Sequence, residues 1–345
     1  MGVPRAMPKA NRLKIRLDYI KNRARRIDIS SLVERAKDVS AQHHKALPVI
    51  MVDMLWSAAF RQTAFQDYVD WDYAILSRAE RETFMTHSIS NHIAMEHDAE
   101  AHRGIFHDKI EFNKVFNAFL KRQWLDVREA SVDEVRDFVQ RAGTVIGKVP
   151  FSSAGHGVHR HTADDVTDWE GFRTRLLDEG QFLLEEVIQQ HPTLAAVCAG
   201  TANTTRVTTY FDGEKTHILS MAQKFGRGQA SDQQTFGGFY TMLSLDGKSM
   251  GRGYDSHDNV HATHPESGVS IPDFELPLVE TVQPFFDDVA RVVPDMRYIG
   301  WDIVMSEEGP VLVEGNWAAG VYENKPSVTG IRTGSRPRFQ SIIGF

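Results

Sequence analysis

The chain has 345 residues, 41% of them hydrophobic and 25% charged, with a formal net charge of −7. That is ordinary globular composition, long enough for two domains or one large one. The negative balance argues against a general nucleic-acid binder, and the single cysteine, Cys198, excludes an internal disulfide and suits a reducing cytoplasm, where it is expected as a buried hydrophobe between small apolar neighbours. No apolar run reaches the ~20 residues of a membrane-spanning helix; the best one, residues 46–60, is interrupted by Asp53, so a cytoplasmic location is expected.

Residues 1–26 hold nine Lys or Arg against one acid, Asp18. A solvated basic helix is the expectation, with contact to acidic lipid or a partner as the alternative. Residues 1–105 read as a helical N-terminal segment: the stretches 31–47 and 73–95 combine strong helix formers with apolar residues near a 3.6 period and lack glycine, with no proline inside them. From about Asp108 the texture changes to short β-like runs, 143–151, 181–188, 204–211, 215–225 and 239–245, with helical stretches near 109–123 and 278–292. Asp212-Gly213 and Asp246-Gly247 are hairpin turns in waiting. The body is therefore α+β with largely antiparallel sheets.

Several stretches carry chemistry. Lys148 ends a predicted strand and precedes a loop of small residues, Ser152, Ser153, Ala154, Gly155, His156 and Gly157, which suits closure of backbone N–H groups over phosphate, although the Gly-Lys-Ser/Thr of a P-loop is missing. The acids Glu185 and Glu186 follow an apolar strand, and Arg206 stands within a β-branched run, where an inward orientation would require an anion. Residues 223–239 bring Lys224, Arg227 and Asp232 together with four glycines, like a lid. Two histidine groups, 156/159/161 and 257/261/264, lack any cysteine, so loop histidines are expected rather than zinc.

The runs Ile299 to Met305 and Val311 to Val313 flank a connector, Ser306 to Pro310, and read as a hairpin. Pairing Met305 with Val311 places Asp302 opposite Glu314, with Asn316 on the same face. Two carboxylates ~5 Å apart at an effective dielectric of ~20 repel by roughly 3 kcal/mol, so something positive is expected between them. An oxygen-only set favours a hard cation such as Mg²⁺ accompanied by nucleotide phosphates.

Taken in order, "DK" at 108–109, "GKVPFSSAGHG" at 147–157, "LLEEVIQQHP" at 183–192, "NTTR" at 203–206, "FGG" at 236–238, "HPESG" at 264–268, "IGWDIV" at 299–304 and "LVEGN" at 312–316 resemble the ATP-grasp superfamily, and within it the sugar-transfer-associated proteins related to α-L-glutamate ligases. The resemblance spans 209 residues. It implies an ATP-grasp fold of two α+β subdomains, about 106–185 and 186–330 within a domain 106–345, holding ATP between them. Lys109 and Lys148 would contact the nucleotide, Ser152 to Gly157 would cover the phosphates, and Glu185, Glu186, Val187 and Ile188 would form the adenine hinge. Arg206, Lys148 and Lys224 would serve catalysis, and Asp302, Glu314 and Asn316 would bind Mg²⁺.

The implied activity is an ATP-dependent carboxylate-amine or thiol ligase working through an acyl phosphate on a small or saccharide-linked carboxylate, in polysaccharide or secondary-metabolite assembly. A phosphotransferase acting on a hydroxyl and a non-catalytic nucleotide-binding module are the alternatives. Two departures stand out: Asp232 is followed by Gln233 rather than the family's Asn, and the tail 317–327 lacks the expected pattern, which leaves the acceptor side open.

Overall fold

A computed structural model describes residues 29–152, 155–257 and 259–345; the basic stretch 1–26 lies outside them. The chain begins with short helices, Ile29–His43, Leu47–Phe60, Phe65–Asp70, Arg78–Arg81 and His87–His97. The long helix expected over 73–95 is cut because hydroxyl side chains cap new starts. Ser77 Oγ accepts from the Glu80 N–H while Glu80 returns a bond to the Ser77 N–H, and Thr86 accepts from the Ile89 N–H. Such caps satisfy N–H groups that a continuous helix would have used itself. The first helix ends at His44, whose φ is 53°. Leu32, Ile50, Met54, Tyr68, Trp71 and Phe84 form the core of this bundle. Asp53, the charge that interrupts the apolar run, accepts two bonds from Arg81 and one from Tyr68. Among the described residues no helix is long and apolar enough to cross a membrane.

The first sheet has four strands, β1 (Trp124–Asp126), β2 (Thr144–Lys148), β3 (Val158–Thr162) and β4 (Leu183–Glu186), in the order β1-β4-β2-β3. Helices Val132–Ala142 and Trp169–Asp178 cover it through Val135, Val139, Phe172 and Leu176. Neither helix is among those expected from the sequence, although Ser131 and Glu134 form a capping box and Asp168 caps the second.

The second sheet has seven strands, β5 (Thr205–Phe211), β6 (Thr216–Phe225), β7 (Phe239–Leu243), β8 (Gly253–Tyr254), β9 (Val260–His261), β10 (Tyr298–Ser306) and β11 (Gly309–Asn316), in the order β11-β10-β5-β6-β7-β8-β9. Every named pairing in both sheets is antiparallel. The helix Val282–Val292 and the helices Lys109–Val115 and Asn117–Leu120 pack on its core through Phe286, Val289, Phe112, Phe116 and Leu120.

The β10–β11 hairpin places Asp302 opposite Glu314 as expected, by a different path. The turn is tighter than the expected connector, and Met305 pairs with Pro310 rather than Val311; a bulge at Val313 then restores the register. One extra residue on one strand shifts the pairing by one, which cancels the error in the turn.

Candidate active site

The floor of the site is the middle of the large sheet. Asp302 on β10 lies directly across from Arg206 on β5, so both side chains share a face. Arg206 Nε donates to Asp302 Oδ1 at 2.8 Å and Nη2 to Oδ2 at 3.0 Å. Lys224 Nζ on β6 sits 3.3 Å from Asp302 Oδ1 and 3.6 Å from Asp232 Oδ1. Arg206 thus points inward, and the anion it requires is Asp302.

All three are buried. Burial alone favours the neutral forms, yet the Arg206 and Lys224 charges hold the Asp302 carboxyl below its ordinary range, while Asp302 raises Arg206 and, with Asp232, Lys224. Glu314 lies beside Asp302 and faces the cavity, and its Oε1 accepts from Asn316 Nδ2 at 3.4 Å. The repulsion between the two acids is therefore met in part by side-chain cations behind Asp302.

The roof is the small sheet. Glu185 on β4 is opposite Ile146 on β2, with Lys148 two residues further along the same face. Glu185 is 2% exposed and accepts from Arg122 Nη2 at 2.7 Å, from Asn113 Nδ2 at 2.8 Å and from Lys148. Burial opposes its charge, but Arg122, Lys148 and the Asn113 bond keep its pKa at about 2. Arg122 also donates to the Leu312 carbonyl at 2.6 Å, tying roof to floor. Lys109 donates to the carbonyls of Pro150 and Ser152, and its ammonium is pushed below its usual range by burial and by nearby Lys148, with Glu314 opposing.

Two loops meet over the opening. Gly155 has φ 76°, and a Cβ there would lie 2.7 Å from Ser231 Oγ and 2.8 Å from the Phe236 ring. Asp232 anchors the glycine-rich loop by accepting from the Thr204 N–H and hydroxyl at 2.8 and 2.6 Å.

These elements enclose one cavity between the two sheets. Lys109, Lys148, Ser152, Gly155, Glu185, Glu186, Val187, Ile188, Lys224, Asp302 and Glu314 line it. Arg206 and Asn316 stand behind Asp302 and Glu314, His156 and Gly157 lie in the loop beyond its wall, and Ser153 is outside the described residues. Arg122 and Asn113 are the contributors that motif reasoning did not place. Each acts through a partner distant in sequence, 63 residues away for Arg122 and 72 for Asn113, so no local pattern marks it.

The histidines divide. His264 is fully buried, its Nε2 2.8 Å from the Gly226 carbonyl, and His261 stacks on Phe239, so neither is a solvated loop residue. Cys198 is only partly buried, and its Sγ accepts from the Gly228 N–H at 3.3 Å. Among the described residues no three His, Cys, Asp or Glu side chains cluster to hold a metal; the donor set at Glu314 is two carboxylates and an amide.

Two antiparallel α+β units closing on one charged cavity define an ATP-grasp fold. Residues 173–332 match the sugar-transfer associated ATP-grasp family. No curated protein matches the chain. Among solved structures, D-alanyl-alanine synthetase A from Vibrio cholerae O1 biovar eltor aligns at 15% identity and a TM-score of 0.38, over 66% of this chain and 60% of its own. The ATP-grasp ligase PsnB complexed with precursor peptide PsnA2 and AMPPNP aligns at 13% identity and a TM-score of 0.40, over 80% and 72%. N5-carboxyaminoimidazole synthase from Aspergillus clavatus aligns at 8% identity and a TM-score of 0.38, over 67% and 50%. The chain thus spans less than two thirds of the length of the first of these.

Proposed function

We propose that the protein is an ATP-dependent ligase. It transfers the γ-phosphoryl group of ATP to a small or saccharide-linked carboxylate; an amine or thiol then displaces phosphate, leaving an amide or thioester with ADP. The observation that carries this reading is the facing of Lys109 and Lys148 on one wall of the cavity against Asp302, Glu314 and Lys224 on the other, with Arg206 behind. Phosphoryl transfer is chiefly positioning plus neutralisation of charge, so no protein nucleophile is required.

In this reading Lys109 and Lys148 grip the phosphates, and the loop 152–157, with Ser153, His156 and Gly157, covers them. The backbone of Glu185 to Ile188 reads the adenine, the Glu185 side chain being committed to Lys148 and Arg122. Arg206 and Lys224 steady the transferred group. Asp302, Glu314 and Asn316 are the residues that would hold Mg²⁺: the set is all oxygen, and Asp302 Oδ2, unlike Oδ1, which Lys224 also approaches, keeps acceptor capacity beyond its Arg206 bond. Bound there, Mg²⁺ would neutralise phosphate charge. We place the subdomain division between 106–185 and 186–330.

Incubation with Mg-ATP, pooled small carboxylates and hydroxylamine is the test. ADP with a hydroxamate is expected; ADP with a phosphorylated alcohol and no hydroxamate would replace the ligase by a kinase.

A further inference from the structure

A second cavity lies where the N-terminal helices meet the tail beyond β11. It adjoins the first. Gln234 on its wall follows the Asp232 and Gln233 of the nucleotide cavity, and the Tyr322 ring on its wall stacks 5.5 Å from the Arg206 guanidinium carbon. Tyr240, also on its wall, is the β7 partner of Lys224. A quarter of the wall comes from outside the family match, since Asp70, Trp71 and His87 precede residue 173.

His87 is held in one tautomer. Its Nδ1 bonds to Asp67 Oδ1, and the same oxygen accepts from the His87 backbone N–H at 3.3 Å. Asp67 is fully buried, whereas the His87 side chain is 40% exposed. With the Nδ1 proton given to Asp67, Nε2 carries the lone pair. Its nearest donor is the Val321 N–H at 3.4 Å, a long contact that leaves Nε2 available to a ligand.

Aromatic rings and acids dominate the surroundings. Trp71, Tyr240, Tyr254 and Tyr322 supply ring faces and edges. The acids are Asp70 and Asp255 on the wall, with Asp67 and Asp72 directly behind; the basic groups are His87, Lys325, whose Nζ is 3.5 Å from Asp72, His43, whose Nε2 is 3.6 Å from Asp72, and His261, 3.6 Å from Asp255. Two carboxylates, Asp70 and Asp255, thus face the cavity, while the one obligate cation, Lys325, is paired with Asp72; together with the aromatic wall this favours an ammonium ligand.

We propose that this cavity receives the amine substrate as a primary ammonium, and that His87, positioned by Asp67, accepts a proton from it as the amide forms. The inference rests on the ligase reading. The amine nitrogen forms the C–N bond to the acyl carbon, and the C–O bond to phosphate breaks with its electron pair leaving on phosphate. Of the two protons the ammonium sheds, one passes to His87 Nε2 and the other departs on the phosphate. Burial works against the His87 charge, but the Asp67 bond and charge outweigh it and raise the imidazole above its ordinary value. His87 therefore becomes a base only as pH rises above that of a free histidine.

Two measurements test this on the full chain. In the first, Mg-ATP and the carboxylate pool are supplied with an equimolar mixture of ethylamine and hydroxylamine; near neutral pH the former is an ammonium and the latter is already uncharged. His87→Gln is expected to lower the ratio of ethylamide to hydroxamate about 100-fold, and to remove the inflection that a titrating His87 adds to the pH profile of that ratio, leaving only the steady rise due to free ethylamine. An unchanged ratio, or an unchanged pH profile, overturns the base assignment. Asp67→Asn, with the imidazole retained, should lower the ratio and shift the profile to lower pH; a profile left in place also counts against it.

In the second, ethylammonium chloride is titrated while the His87 ring is followed by NMR, with propanol as the neutral control. A saturable shift that propanol does not produce and Asp70→Asn weakens is expected; no shift overturns the amine pocket. If wild type forms neither hydroxamate nor ethylamide, the ligase reading falls and the base role with it, while this titration still decides whether the cavity binds an ammonium.

Discussion

Four buried carboxylates divide into two pairs with opposite electrostatics. Glu185 and Asp302, on the two walls of the nucleotide cavity, are each gripped by an arginine and a lysine and held below the ordinary carboxylate range. Asp98 and Glu323, at the joint between the N-terminal helices, the large sheet and the tail, are bonded by neutral donors instead. Asp98 accepts from the Tyr298 N–H at 2.8 Å, and Glu323 from the Met85 and Ser335 N–H groups and the Ser335 hydroxyl at 2.7 to 2.9 Å. Burial pushes both up to about 7. One residue type therefore does two jobs. In the cavity a permanent charge preorganises cations for an anionic ligand, whereas at the joint the carboxyl serves as a polar filler that satisfies orphan N–H groups.

The sharpest way to break this contrast is Glu185→Ala. It leaves Arg122, 3% exposed, and Lys148 without their anion. Removing one partner of a buried pair costs about 3–5 kcal/mol, mostly as the uncompensated charge left behind. Denaturant unfolding should show that loss, and the double variant Glu185→Leu with Arg122→Met should recover much of it. A cost under ~1 kcal/mol for the single change would mean that the roof of the cavity is not built on this pair.

Glu314 offers the complementary case, a cavity acid with little structural duty. It is half-buried, and the side-chain bond it accepts is the long one from Asn316. Glu314→Ala is expected to reduce ATP-dependent turnover by about 10²–10³-fold, the scale of losing one group that stabilises developing charge. Its unfolding free energy should stay within ~1 kcal/mol of wild type. Full activity would remove Glu314 from the proposed Mg²⁺ set.

How far these roles were legible depended on the range of the interactions. Asp302 facing Glu314 was readable because a period of two and one turn fix it locally, even though the turn and the bulge each departed from expectation. The strands β5, β6 and β7 were readable from β-branched runs between Asp-Gly turns. The helices Val132–Ala142 and Trp169–Asp178 were signalled by their caps, Ser131 with Glu134 and Asp168, yet were overlooked beside stronger strand patterns. The facing of Arg206 was not readable, because an arginine in a strand has either side available and only the sheet decides which holds an anion. Asp67 and His87, 20 residues apart on different helices, could be joined by the fold alone.

The joint is tested by pH. Glu323 titrates at about 7 when folded against the ordinary 4.5, so between those values the native state holds a proton that the unfolded chain has lost. Stability therefore falls as pH rises from 4.5 to 7 and is level above, opposite to Glu185, whose low folded value adds stability above 4.5 that is lost as pH falls toward 2. Glu323→Gln keeps an acceptor oxygen for Met85 and Ser335 but cannot ionise. Relative to wild type it should gain on the order of 2 kcal/mol across that window, with Asp98 common to both proteins and cancelling from the difference. Urea unfolding at several pH values measures it. Parallel stability profiles for the two proteins would show that Glu323 is charged when folded, and the distinction between the cavity acids and the joint acids would collapse for this residue.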